Sequence, residues 1–558
     1  MTTSHTIAKI LAELFSLKGL THCVLSPGSR NAPLIIAFNR QPEITCLSIS
    51  DERSAAFFAL GMAQQLRRPV ALICTSGTAV LNFAPAIAEA YYQQIPLLII
   101  TADRPAEWIN QHDGQAINQH NVFSNYIQQS FSMPLEVHHS DEYWYCERIA
   151  NEAIDKTTFP IMGPVHVNVP LREPLYDLIE PKNHIPKIIY NNTPDVCLNE
   201  EEQSVFNKKW TSYNKKMIIC GILPPNQELN EILNKISQDP SVAILTETTS
   251  NLHGEHFFPC IDRMLDGFDN NFIPELLITI GGPLISRKIK TILRQNKASE
   301  HWHISSNDSH IDAFQSLTHN IHSNPYCFFK SIVKSPLIAS SEYREIIKLI
   351  HKQTSIKHDE YLKTIPFSDL KAFEIIFKNI PSEIAIHLGN STPIRYAQLF
   401  ENKGNIEQYS NRGTSGIDGC SSTAVGAAFI TQKPTLLITG DIGFVYDSNA
   451  FWNNYLSKKL RVIVINNGGG GIFRFIDGPD TVNELVPYIE SPNKANIEFI
   501  AKAFGVEYCF ADDEESLSNI LPKFFTSSEN PIILEIKTPR FENANILRNY
   551  FKYLKPTI

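Results

Sequence analysis

Residues 434–473, PTLLITGDIGFVYDSNAFWNNYLSKKLRVIVINNGGGGIF, carry a carboxylate, an amide and a glycine run in an order that suits a hard cation holding a phosphate. Asp441 offers a carboxylate oxygen, Asn467 a neutral amide oxygen, and a glycine carbonyl just beyond, such as that of Gly469, a third. Magnesium is held in this way, by a few protein oxygens with phosphate and water completing an octahedron. Gly468–Gly471 lets the backbone approach a diphosphate, with its N–H groups as expected donors. A plain strand–helix–strand unit with a capping Asp and a flexible loop is the alternative for these residues alone.

The elements around them must be two parallel strands and a crossover. Thr435–Thr439 and Val462–Ile465 are β-rich apolar runs, each stopping at one of the polar residues. Between them, Asp447 or Ser448 is expected to cap a helix carrying Phe451/Tyr455 and Trp452/Leu456 at four-residue spacing. Asp441 and Asn467 would then lie at carboxyl ends of neighbouring strands, where open α/β sheets bind ligands.

Other strand ends carry candidate anion-binding groups. In the first third, Cys23–Leu25 runs into SPGSR, Val70–Cys74 into TSGTA and Pro96–Ile100 into TADRP. Arg30 and Arg104 thus stand at strand ends, where a guanidinium fork suits a carboxylate, or simply a surface salt bridge. Glu52 opens a helix, where a carboxylate ordinarily complements the dipole. Asn191–Glu202, NNTPDVCLNEEE, reads as a polar linker. Beyond it, Lys216–Cys220 and Leu276–Gly282 read as strands of a third α/β unit, with no phosphate-binding motif at Gly281-Gly282-Pro283. In the last third, Ile384–Leu388 leads into Gly389-Asn390-Ser391, with Arg395 one turn into the following helix. YSNRGTSGIDGCSSTAVGAAF, residues 409–429, surrounds Arg412 with small residues and leaves Ile417 as the lone apolar side chain of a polar loop.

The chain has 558 residues, enough for two to four domains with substantial cores. Apolar residues are 43% and charged ones 19%, the balance of an ordinary soluble globular protein. A net charge of −9 gives no global attraction to nucleic acid or anionic membrane, so any anion site must be local. Ten cysteines are scattered singly, which argues against zinc and structural disulfides. The first twenty residues read as an amphipathic helix without a signal-peptide core, and no apolar run reaches membrane-spanning length; the expectation is a cytoplasmic protein.

An Asp at one strand end with Asn-Asn a crossover later resembles thiamine-diphosphate enzymes. More narrowly, SPGSRNAPL, DERSAAFFALGMA, TSGTAVLNFAPAIAEAYY, PLLIITADRP, GQAINQ, GNSTPIR, SNRGTSGIDG, GDIGFVYDSNA and NNGGGGIF resemble the 2-succinyl-5-enolpyruvyl-6-hydroxy-3-cyclohexene-1-carboxylate synthase family of menaquinone biosynthesis. The usual glycine after the metal-binding Asp is Ile442 here, a departure that this branch tolerates.

The resemblance implies three doubly wound parallel-sheet α/β domains: a pyrimidine-binding one at 1–185, a central one at 195–350 and a diphosphate-binding one at 365–558. It implies decarboxylation of 2-oxoglutarate and conjugate addition of the succinyl unit to isochorismate, with thiamine diphosphate and Mg2+ or Mn2+ as cofactors. Asp441, Asn467 and the Gly469 carbonyl become the metal ligands, and Ile417 the post over which the cofactor bends. Asn390, Gly440, Gly471 and Ile472 join the cofactor contacts. Glu52 would bond the pyrimidine ring and favour its imino tautomer. Glu52, Ser391 and Arg395 carry the catalytic assignments. Substrate contacts fall on Ser29, Arg30, Arg104, Gln115, Arg287, Lys288, Ser391, Arg395, Arg412 and Phe473. No nucleic acid or membrane partner is implied. A homodimer is the minimum active unit, with a homotetramer as the open alternative. The competing readings are an acetolactate synthase-like 2-oxoacid ligase and a catalytically silent homologue.

Overall fold

The computed structural model describes residues 1–180, 184–265, 271–307, 309–402, 406–475, 481–492 and 494–555. The last three residues of the third expected domain therefore lie outside the described residues. Three six-stranded sheets, parallel throughout, follow one another along the chain.

The first holds β1 (His22–Leu25), β2 (Thr45–Ser48), β3 (Val70–Cys74), β4 (Leu97–Asp103), β5 (Ser130–Ser132) and β6 (Pro164–Pro170), in the order β2-β1-β3-β4-β6-β5. The second holds β7 (Lys216–Cys220), β8 (Val242–Thr246), β9 (Phe257–Phe258), β10 (Leu276–Ile280), β11 (Glu300–Ser305) and β12 (His319–His322), in the order β9-β8-β7-β10-β11-β12. The third holds β13 (Ala385–Leu388), β14 (Glu407–Tyr409), β15 (Thr435–Gly440), β16 (Leu460–Asn466), β17 (Glu507–Ala511) and β18 (Ile532–Lys537), in the order β14-β13-β15-β16-β18-β17. The first and third sheets thus share one topology. Central strands such as Val70–Cys74 are buried at every residue, as a parallel sheet covered on both faces requires.

The first and third sheets share a hydrophobic core that runs from Val24, Phe57 and Leu97 to Val425, Leu437 and Val462. Its seam is the contact between the helices Glu52–Leu66 and Cys420–Ile430. Two glycines allow that contact. A Cβ on Gly61 would stand 2.0 Å from the Thr423 carbonyl oxygen, and one on Gly426 would stand 2.0 Å from that of Phe58. Polar bonds fix the register: Ser54 Oγ lies 2.9 Å from Ser422 Oγ, and Asn449 Nδ2 donates to Asp51 Oδ2 at 2.6 Å.

Three local expectations change. The helix after β15 begins at Asp441 and ends at Tyr446, and only a 3-10 turn, Ser448–Phe451, follows. Asp447 caps nothing there, because its buried carboxylate accepts Ser422 N at 2.7 Å and Ser422 Oγ at 2.8 Å. The expected linker is non-helical only to Asn199; Glu200–Ser212 is helical, with Asn199 and Glu202 capping it reciprocally. Finally, Cys197 is disulfide-bonded to Cys327, a pairing that solitary cysteines in the sequence could not announce.

Candidate active site

Asp441 and Asn467 come to lie at the ends of neighbouring strands. β15 and β16 pair in parallel with Gly440 opposite Ile465, which places both residues on one edge of the third sheet. β13 lies on the other side of β15, and the chain reverses its winding between them. A cavity of about 470 Å³ opens at this reversal, lined by Asn390, Ser391, Arg395, Ile417, Asp441, Asn467 and Gly469, among others. Ser391, the residue before the helix Thr392–Ala397, has φ +77, a strained setting for a side chain at a cavity wall.

Asp441 is 3% exposed, and its Oδ1 accepts the Ile442 N–H at 2.9 Å. Its Oδ2 has no hydrogen-bond partner among the described residues, and the Gly469 N–H acts on the carboxylate only as a weaker, lowering influence on its pKa. Burial pushes its carboxyl up to about 7, so the charged form needs a counter-charge. Asn467 is aimed from behind: its Nδ2 donates to buried Asp369 Oδ2 at 2.9 Å, and Thr538 Oγ1 holds the other oxygen at 2.6 Å. With the nitrogen so engaged, the amide oxygen is the atom left for a ligand. One orphaned carboxylate oxygen and one freed amide oxygen fit a hard divalent cation. No group of three or more His, Cys, Asp or Glu side chains among the described residues is placed to hold a metal ion, so a cation here would depend on this mixed oxygen set.

The glycine loop departs from expectation. Gly468 N donates to Asn466 Oδ1 at 3.2 Å, Gly470 N to the Glu490 carbonyl at 2.7 Å, and Gly471 N to the Gly469 carbonyl at 2.8 Å. These donors are spent within the loop, because it folds onto itself and onto Glu490. Close approach remains, with Gly469 at φ +139. The Gly469 carbonyl still has a second lone pair for a cation. Ile472 and Phe473 are half-buried beside it, and Ile417 is half-buried opposite; all three line the cavity.

Cations crowd the same space. Arg287, Lys290, Arg395 and Arg412 all line it. No acceptor among the described residues reaches Arg395 Nε or Arg412 Nε. Burial lowers the pKa of both guanidinium groups, and repulsion between them adds to the effect on Arg395. Arg412 Nη1 donates to Asn390 Oδ1 at 3.1 Å. Its loop is gripped from the first sheet by Glu89, which is 1% exposed. Glu89 accepts Gly413 N at 2.7 Å, Thr414 N at 2.7 Å and Thr414 Oγ1 at 2.6 Å. Lys288, expected at this site, instead sits 3.5 Å from the centre of the Phe551 ring and does not line the cavity.

The remaining expected residues lie elsewhere. Arg30 and Arg104 line a separate cavity of about 290 Å³ at the carboxyl edge of the first sheet. Arg30 Nη1 donates to the Leu171 carbonyl at 3.0 Å, and Arg104 Nη2 to that of Gly114 at 2.7 Å. Ser29 and Gln115 are exposed on that edge. Glu52, half-buried in the first turn of its helix, accepts Asn82 Nδ2 at 3.3 Å. No residue of the first sheet lines the Asp441 cavity. Within one chain the expected residues of the first sheet and those of the third therefore do not line a common cavity.

Sequence reasoning missed Asp369, Glu89, Lys290 and Glu247. Asp369 and Glu89 sit in ordinary amphipathic helices and gave no signal. Glu247, just after β8, stands at a strand end, the one hint available.

Comparison with known proteins bears on both edges. The thiamine pyrophosphate enzyme N-terminal TPP binding domain matches residues 1–122, and the C-terminal TPP binding domain matches residues 390–536. The chain is 44% identical over 552 residues to the 2-succinyl-5-enolpyruvyl-6-hydroxy-3-cyclohexene-1-carboxylate synthase of Flavobacterium psychrophilum, covering 98% of each. The proteins of that name from Porphyromonas gingivalis and Flavobacterium johnsoniae are 42% and 43% identical over 556 residues. They cover 98% of this chain and 96% and 99% of their own lengths.

Proposed function

The chain belongs to the thiamine-diphosphate-dependent 2-succinyl-5-enolpyruvyl-6-hydroxy-3-cyclohexene-1-carboxylate synthase family, and on that premise we propose that it joins the succinyl unit of 2-oxoglutarate to isochorismate, with loss of carbon dioxide, in menaquinone biosynthesis. Thiamine diphosphate, when bound, would supply the nucleophilic carbon that adds to the keto group of the oxoacid and the electron sink that takes up the pair left by carbon dioxide.

The chain's own residues do the rest. Asp441, Asn467 and the Gly469 carbonyl would hold Mg2+ or Mn2+, whose charge would offset that of the cofactor's diphosphate. Asn390, Gly440, Gly471 and Ile472 wall the cofactor, and Ile417 props it. Arg287, Arg395 and Arg412 neutralise the carboxylates of two dianionic substrates, Ser391 orients the oxoacid, and Phe473 excludes water. Glu52 holds a proton at the pyrimidine ring, and Ser29, Arg30, Arg104 and Gln115 complete the substrate pocket. Because these last five stand on the other edge, they come from a second copy, making a homodimer the minimum unit; a homotetramer is its doubled form. The domain limits of this reading are 1–185, 195–350 and 365–558, a division that three successive sheets support. No helix among the described residues is long and apolar enough to cross a membrane, which is compatible with a cytoplasmic place.

The observation that carries this reading is a single cavity lined both by Asp441, whose Oδ2 has no hydrogen-bond partner among the described residues, and by four cations. An acetolactate-type ligase working on pyruvate would have little use for so much positive charge. The test is carbon dioxide release from 2-oxoglutarate, with thiamine diphosphate and magnesium, with and without isochorismate. Isochorismate-dependent turnover, abolished by chelation and restored by metal, is expected. Turnover of pyruvate instead would overturn the substrate assignment.

A further inference from the structure

The second sheet's contribution to this cavity is the helix Arg287–Gln295, whose first turn is unusual. It holds Arg287, Lys288 and Lys290 and no acidic residue. Cations at a helix N-terminus oppose the dipole, so the sequence tolerates a local cost there. Two carboxylates offset it, buried Glu247 and half-buried Asp262. Glu247, 3% exposed, accepts the Ile285 N–H at 2.7 Å and the Ser286 N–H at 2.7 Å. Asp262 accepts Ser286 Oγ, which in turn accepts Ile289 N at 3.2 Å as the helix cap. The entry of the helix is thereby fixed from below.

Helical geometry then decides which side chains face the site. Arg287 and Lys290 are three residues apart and share a face. Lys288 lies between them and turns to Phe551. Lys290 Nζ is steadied by one bond, to the Leu284 carbonyl at 3.0 Å. An ammonium has three donors, so two remain for a ligand. Electrostatically, Lys290 and Arg412 repel one another while Glu247 attracts both. Four cations and one carboxylate, Asp441, line the cavity, with Glu247 and Asp262 behind them, and the positive groups in the lining suit the carboxylates of a substrate.

Resting on the function proposed above, we propose that Lys290, and not Lys288, is the second cation that the middle sheet gives to the substrate pocket, and that Glu247 is the positioning residue that aims it. The substrate class is a dicarboxylate, one carboxylate of which receives the Lys290 ammonium.

The test uses full-length Lys290→Met, Lys290→Arg, Lys288→Met, Glu247→Gln and the Glu247→Gln/Lys290→Met double variant. Steady-state kinetics are measured with varied 2-oxoglutarate, isochorismate and thiamine diphosphate. Lys290→Met is expected to raise KM for one of the two dicarboxylates about tenfold, the worth of one charge-assisted bond. Its kcat and its thiamine diphosphate dependence should stay near wild type, and Lys290→Arg should restore much of the loss. Lys288→Met should stay within about twofold of wild type, the range of a surface change. Glu247→Gln should also raise that KM with kcat retained. If Glu247 acts through Lys290, the double variant should match Lys290→Met alone; additive losses would overturn the positioning role. An unchanged KM in Lys290→Met would overturn the assignment, as would a raised KM in Lys288→Met. Should wild type turn over neither substrate, the functional reading fails, and calorimetric titration with 2-oxoglutarate and with isochorismate decides the Lys290 assignment separately. Weaker binding of either by Lys290→Met would then support it, and no difference from wild type would overturn it.

Discussion

Asn467 donates its amide N–H to the buried carboxylate of Asp369 at 2.9 Å, which leaves the amide oxygen as the atom available to a ligand. Asp369 lies far away in sequence, in the first turn of the helix Asp369–Asn379. Its own carboxylate is held by Thr538, and its backbone N–H by Asn543 Oδ1 at 2.8 Å. A cation at Asp441 would therefore depend on a residue that never touches it.

Removing that support should weaken the metal without emptying the cavity of its ligands. Asp369→Ala is expected to lower magnesium affinity by about 10- to 100-fold, the usual cost of losing an outer partner. Calorimetric titration with magnesium in the presence of thiamine diphosphate reads this directly. Unchanged affinity would mean that Asn467 keeps its orientation by other means.

Glu52→Gln keeps the size and removes the charge. Folding and cofactor binding should persist, while turnover falls about 100-fold or more, as for a lost acid–base partner. Unchanged turnover would remove Glu52 from the mechanism. Mixing this variant with Asp441→Asn tests the shared site. If one copy's first sheet completes the other copy's third, mixed dimers of two inactive parents regain activity. Failure to regain it would confine each site to one chain.

Arg395→Ala should strike substrate more than cofactor. The expected loss in kcat/KM is about 2 kcal/mol, the worth of a charged hydrogen bond, with thiamine diphosphate affinity little changed. A fall in cofactor affinity alone would show that Arg395 serves the wrong ligand in this account.

A pH test comes from the base of the third sheet. His358 Nδ1 meets Tyr550 Oη at 2.7 Å, and burial pushes its pKa down to about 3 from 6.5. A depressed pKa contributes stability that is present above 6.5 and lost as pH falls toward 3. His358→Phe should cost about 1 kcal/mol near neutral pH, from the lost bond. Its deficit against wild type should shrink as pH falls from about 6.5 to about 4.5, since only wild type carries the titrating ring. Urea unfolding at several pH values measures this; a constant deficit would contradict the buried neutral imidazole.

Composition and pattern determined a good deal by themselves. Fully buried parallel strands need near-continuous apolar runs, so Val70–Cys74, Lys216–Cys220 and Thr435–Thr439 were legible as strands. Ligand positions at strand ends were legible for the same reason: the run stops, and the next polar residue must face the sheet's edge. Asp441 and Asn467 could be brought near one another on that basis alone, whereas Asn390, Arg395 and Arg412 joined them through the resemblance to the thiamine-diphosphate enzymes. The tertiary structure decided what local pattern does not encode. Asp447 reads as a helix cap until Ser422 claims its carboxylate. Lys288 and Lys290 are indistinguishable until the helix start is known, and that start is set by Glu247 from another strand. Glu89 and Asp369 look like surface acids of amphipathic helices, yet they hold the cavity's loop and its amide. Such roles arise from contacts between residues distant in sequence, whose energies appear only once the chain has closed around them.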